Sequence, residues 1–289
     1  MTFDAFLQTA WDQHGDRPQD VADRLGATLR VIEAPEQIPR FAALVTHVFG
    51  EHLARWEEGA ALLESLRGLP AFDGSAVVAG AVARSVAALR YAGGDAAALD
   101  PLTPEQRVSA LATVAAAYTG LGRLAEAIPA YAQALRLAGA GLPDVSPAVR
   151  ALAIGGNNLA AALEAKPDRD AAETRGMLEA AEGGLRYWKL AGTWLEEERA
   201  EHRLARSLLQ ARQPEAAIAA ARRCVAVCER NGAPAFERFF GYAVLALAQR
   251  SAGDESGSGA AREQALRLFA QVPEEERRWC EQELQELQG

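Results

Sequence analysis

Residues 108–137 read VSALATVAAAYTGLGRLAEAIPAYAQALRL, and this stretch decides the fold. Apolar residues recur at three- and four-residue spacing on either side of a tight turn, the pattern of two amphipathic helices folded back on each other. Small residues (Ala115, Ala127, Ala134) stand where the helices must approach closely. Large ones (Leu111, Tyr118, Leu121, Leu124, Tyr131, Leu135) stand where the pair must fill space. A single hairpin of this size cannot bury its own apolar face, so neighbours of the same kind are required.

Leu111, Ala115, Tyr118, Gly122, Ala127, Tyr131 and Ala134 together resemble the tetratricopeptide repeat, with its small–aromatic spacing, Gly at the turn and small–aromatic–small second helix. The resemblance implies an all-α fold, a right-handed superhelical solenoid of antiparallel helix pairs. It also implies a protein-interaction module that holds a peptide or partner segment in a concave groove.

Outward from this unit the same organisation recurs. Thr103 to Gln106 reads as a capping box that opens the first helix. Ser146-Pro147 starts the next helix, expected to run to about Ala165 and to break at Lys166-Pro167-Asp168, with its partner over roughly 170–190. A third pair begins near Thr193 and turns at Arg212-Gln213-Pro214, with Arg212 where the repeat has Gly. Asn231-Gly232-Ala233-Pro234 stops it. A fourth pair covers Phe236–Ala252 and Ala260–Gln271, joined by GDESGSG, expected to be a flexible loop. Residues 1–100 read as degenerate helical repeats, including a pair over 36–67 and a helix over 75–91, and 101–272 as the repeats proper. The last segment, 273–289, places Trp279, Leu284 and Leu287 on one side and is expected to cap the array.

Composition narrows the function. The 289 residues carry a net charge of −9, and the halves 1–145 and 146–289 hold 11 and 19 basic against 17 and 22 acidic groups, so neither offers the basic excess of a nucleic-acid binder. No stretch is long and apolar enough for a membrane span. The start, MTFDAFLQTAWDQHGD, lacks the basic and apolar regions of a signal peptide. Three cysteines without a secretory signal lead us to expect a reducing, cytoplasmic setting.

The sharpest candidate site lies in ERAEHRLARSLLQ, where Arg199, His202, Arg203 and Arg206 share one helix face. Like charges so close need an acid. The acid is either a ligand carboxylate or phosphate, or the protein's own Glu196 and Glu198, each one turn upstream. In the co-chaperone class of these repeats a Lys and several Asn clamp a terminal carboxylate. Asn158, Arg199 and Arg203 fall in matching slots, whereas Ala112 and Ala116 leave the first repeat's half of such a clamp missing. Asn157 and Asn158, unusual in mid-helix, fit either a groove wall or an internal bridge. Phe240 and Tyr242 offer apolar contacts or core.

Other polar clusters read blandly. Cys224 and Cys228 share a face and fit small buried residues better than a metal site. His47, Glu51 and His52 form HxxxEH. A helix aligns His47 with Glu51 but sends His52 aside, so this reads as polar helix surface. No metal, cofactor, phosphate loop or catalytic triad is expected, and no enzymatic activity. The expected function is a scaffold binding a protein or peptide through a carboxylate anchor. The rivals are a sensor of a small acidic ligand or signalling peptide, and a structural subunit that self-associates as a homodimer.

Overall fold

The computed structural model describes residues 2–288, whose regular elements are all helical, with no strand among them. The chain divides into two compact units, Met1–Gly155 and Gly156–Gly289, the division falling inside one helix.

Unit 1 contains α1 (Phe3–Gln13), α2 (Pro18–Thr28), α3 (Gln37–Thr46), α4 (Trp56–Ser65), α5 (Ala76–Ala92), α6 (Pro104–Gly120), α7 (Leu124–Gly139) and the start of α8 (Pro147–Ala165). The α6–α7 hairpin is the repeat quoted above. Its Leu111, Ala115, Ala127, Tyr131 and Ala134 are all buried. Gly122 takes a φ of +69°, a left-handed turn that glycine adopts without strain. Thr103 and Gln106 form the expected reciprocal cap.

The two tyrosines do more than fill space. Tyr118 donates its hydroxyl to the Ala92 carbonyl on α5 (3.1 Å), and Tyr131 donates to the Leu152 carbonyl on α8 (2.8 Å). Each aromatic therefore ties its hairpin to a neighbouring helix while satisfying its own buried polar end. A second core gathers Phe6, Leu25, Phe41, Val45, Val48, Phe49 and Leu63 from α1 to α4.

Unit 2 continues with the end of α8, α9 (Ala171–Ala191), α10 (Trp194–Gln210), α11 (Pro214–Arg230), α12 (Ala235–Ser251), α13 (Glu255–Phe269) and α14 (Glu281–Gln288). Helices α8 to α12 fall within a residue or two of where the sequence places them, and α10 packs on α11 as α12 packs on α13. Arg212 holds the α10–α11 turn at φ +57° in the position a glycine would occupy.

Two expectations are corrected. GDESGSG is not a flexible loop. Asp254 caps the Gly257 N–H and Ser258 donates to the Ala246 carbonyl on α12, so helix α13 begins at Glu255 and only three residues turn. In the terminal segment Leu287 is buried as expected, but Trp279 is 62% exposed and Cys280 is buried in its place. The cause is a 3₁₀ turn over Glu274–Cys280, tighter than an α-helix, which rotates Trp279 outward.

Candidate functional site

The basic face of α10 was the first candidate, and its three arginines are each engaged by a carboxylate within unit 2. Arg199 pairs with Glu237 on α12 (2.6 Å), Arg203 with Glu164 on α8 (2.5 Å), and Arg206 bidentately with Glu286 on α14 (2.5 and 2.9 Å). The carboxylates that pair with these arginines thus come from other helices, while Glu196 on the same helix accepts from the Thr193 N–H at its start. Glu198 cannot serve, because it is only 1% exposed and its carboxyl is pushed up from 4.5 to about 9, by burial first and then by the facing Cys228 and Glu237. It stays protonated and accepts a hydrogen bond from the Cys224 thiol (3.2 Å).

His202 lies among these arginines with a buried Nε2 that meets no hydrogen-bond partner among the described residues. Burial, then Arg206 and Arg203, hold its imidazole well below the ordinary histidine value, so it is neutral. Its ring meets Phe240 edge-on at 5.7 Å, and Phe240 packs with Phe236 and Phe239 in the α12 core. Asn157 and Asn158 face each other across one long amide contact (3.5 Å), with Asn158 exposed. Tyr242 donates to Glu229 (2.7 Å). The three cysteines are buried thiols, and burial lifts Cys280 to about 11.

Unit 1 presents a different arrangement. A cleft of about 330 Å³ runs between α3, α5, α6 and α8, walled by small side chains such as Ala43, Ala112, Ala116 and Gly155. Ala112 and Ala116, the residues in the slots of the missing half-clamp, therefore line open space. Arg84 and Ser109 are shared with an adjoining cleft of about 370 Å³ edged by Thr103, Gln106 and Ser146. Arg84 is half-buried and forms no ion pair or hydrogen bond among the described residues. Burial lowers its pKa, and only Glu105, which lines the adjoining cleft with it, acts in the opposite direction. The hydroxyls of Ser85 and Ser109 beside it likewise make no hydrogen bond there.

At one end of this cleft the chain departs from the α-helix. Residues His47–His52 form a π-helical turn, and hydrogen bonds reaching five residues back place one more residue in each turn. In an α-helix His52 would sit about 140° around the axis from His47. In the π-turn the two imidazoles come side by side, their Nε2 atoms 3.1 Å apart. The expectation that His52 points aside is thereby corrected. The turn widens because Val48, Phe49 and Gly50 must all reach the core. Gly120 at the end of α6 also packs directly on the Glu51 backbone, where a Cβ would meet the carbonyl oxygen at 2.8 Å.

His14, just beyond α1, completes the group. One ring nitrogen from each of His14, His47 and His52 lies within 4.8 Å of the other two. Trp11 packs on His14 and on His47, with ring centres 5.1 Å away in each case. Burial first, then the neighbouring His47 and His14, lowers the His52 pKa. Neither His14, Trp11 nor Arg84 was singled out from the sequence. The available signal was scarcity: the chain has four histidines, and three fall in its first 52 residues.

No family model matches the chain, and no curated protein matches it. Among solved structures it is similar to one described as a kinesin light chain with nearly identical TPR-like repeats from Podosopora anserina. That structure is 19% identical with a TM-score of 0.47, over 76% of this chain and 97% of that one. It is also similar to BtubC (BKLC) from P. vanneervenii, 17% identical with a TM-score of 0.46, over 82% of this chain and 92% of that one.

Proposed function

We propose that this protein is a non-catalytic interaction module that takes an acidic segment of a protein partner, or its terminal carboxylate, into the unit 1 cleft. The observation that carries the reading is Arg84. A guanidinium drawn half out of water without a carboxylate to pair it is costly, and an incoming carboxylate would relieve that cost with charge-assisted hydrogen bonds. Ser85 and Ser109 add hydroxyls free to complete the contact, and the alanine walls leave room for a peptide backbone.

The basic face of α10 supports this reading less well. Arg199, Arg203 and Arg206 already hold Glu237, Glu164 and Glu286. A ligand there would have to displace an internal carboxylate and leave it unpaired. The remaining candidates on these helices, Asn157, Asn158, His202 and Phe240, would then act as packing residues, with Asn158 alone open to solvent.

Fluorescence anisotropy with a panel of labelled acidic peptides, some ending in a free carboxylate and some amidated, tests the proposal. Arg84→Met keeps the aliphatic stem and removes the charge. It should weaken the peptides that bind by at least about tenfold, the value of one charge-assisted contact, without altering the melting curve. Equal binding by Arg84→Met, or its loss only on substitution of Arg199 and Arg203, would move the site to unit 2. The cleft volume lies at the lower end for small-molecule sites, so a thermal-shift series of free dicarboxylates tests the sensor reading in parallel.

A further inference from the structure

We propose that His14, His47 and His52 form a binding site for a divalent transition-metal ion of the zinc type, with Glu51 and the Trp11 carbonyl orienting the ligands. This inference is independent of peptide binding at Arg84.

The hydrogen bonds fix which nitrogens are available. The Trp11 carbonyl can only accept, so His14 Nδ1 carries the proton that it donates (2.5 Å), leaving the lone pair on Nε2. Glu51 accepts from His47 Nδ1 in the same way (2.9 Å), leaving the His47 lone pair on Nε2. A backbone carbonyl behind one imidazole and a carboxylate behind another are the outer contacts that orient histidine ligands around a metal and raise their basicity.

The spacing agrees. Two nitrogens at zinc–nitrogen bond length in a tetrahedron lie about 3.3 Å apart. His47 Nε2 and His52 Nε2 are 3.1 Å apart. One nitrogen of each ring lies within 4.8 Å of the other two, so a pair at that limit need close by only about 1.5 Å, within reach of small χ adjustments. Without metal, His52 Nε2–H donates to the His47 lone pair. On metal entry that proton moves to His52 Nδ1 and both Nε2 lone pairs turn to the cation, with no net release of a proton from the three rings.

Three neutral imidazoles select zinc-like ions over magnesium or calcium, which prefer oxygen. Three protein ligands also leave a coordination position for water or a further ligand. His47 and Glu51 line the unit 1 cleft, which gives a further ligand access to the group.

The test uses the full chain, stripped with a chelator, titrated calorimetrically with Zn²⁺ and spectroscopically with Co²⁺. One equivalent should bind. Co²⁺ should develop the intense visible absorption of a four-coordinate site, and the imidazole proton signals of three histidines, but not of His202, should shift with Zn²⁺. His14→Ala, His47→Ala and His52→Ala should each weaken binding at least 100-fold, and Glu51→Gln about 10-fold or more, the usual effect of losing an outer contact. His202→Ala should bind as the parent does. The histidine signals are read on the unsubstituted protein, so a variant that fails to fold does not stall the test. Absence of a one-to-one transition with either ion would overturn the proposal. So would a Zn²⁺ shift of the His202 signals instead of the other three, or unchanged affinity in the triple alanine variant.

Discussion

Replacing Glu198 by Gln should stabilise the protein, and the gain should grow with pH. Glu198 is buried and its carboxyl is held at about 9 instead of 4.5. A raised acid pKa means that the folded chain keeps a proton which the unfolded chain releases. The associated stability is therefore complete below pH 4.5 and is lost as pH rises toward 9. At about 1.4 kcal/mol per pH unit, the penalty reaches about 3 kcal/mol at pH 7 and about 6 kcal/mol by pH 9. Glutamine mimics the protonated acid: its carbonyl can still accept from Cys224, and it has no proton to lose. Unfolding curves followed by far-ultraviolet circular dichroism at pH 5, 6, 7 and 8 give the comparison. The variant should match the parent near pH 5 and exceed it by about 3 kcal/mol at pH 7, or about 6–12 °C in melting temperature. A difference that stays constant across this range, or a variant less stable at pH 7, would refute the reasoning that burial holds this carboxyl neutral.

Other consequences are as direct. Gly120→Ala places a Cβ 2.8 Å from the Glu51 carbonyl oxygen and should destabilise by about 1–3 kcal/mol, measurable by denaturant titration, while weakening Zn²⁺ binding through the displaced π-turn. Tyr131→Phe leaves the buried Leu152 carbonyl without its hydroxyl donor and should cost about 1–3 kcal/mol in the same assay. Arg206→Ala removes both guanidinium bonds to Glu286, so amide hydrogen exchange over 281–288 should accelerate while that over 104–139 stays unchanged. Charge reversal at both Arg199 and Arg203 should lower the melting temperature, because each new Glu would face Glu237 or Glu164.

Local information sufficed for much of the fold. The Thr103 cap, Gly122 at the turn and the alternation of Ala with Tyr placed α6 and α7, because capping, helical period and turn conformation depend on residues within four of one another. The same rules found α8 to α12 to within a residue or two. They failed at 253–259, where Gly and Ser suggested a loop. There Asp254 and the docking of Ser258 on α12 outweigh weak helix propensity.

The sequence by itself determined that this chain is a series of Ala- and Leu-packed helix hairpins, and that one face of α10 is crowded with cations. Only the tertiary structure decided what those cations hold. Glu164, Glu237 and Glu286 lie 39, 38 and 80 residues from their arginines, and helix crossing, not spacing along the chain, brings them together. The histidine group has the same origin. His14 meets His47 and His52 because α1 packs near α3, and His52 comes alongside His47 because burying Val48, Phe49 and Gly50 widens one turn. A hydrogen-bond register chosen by core packing is invisible to any pattern that assumes 3.6 residues per turn.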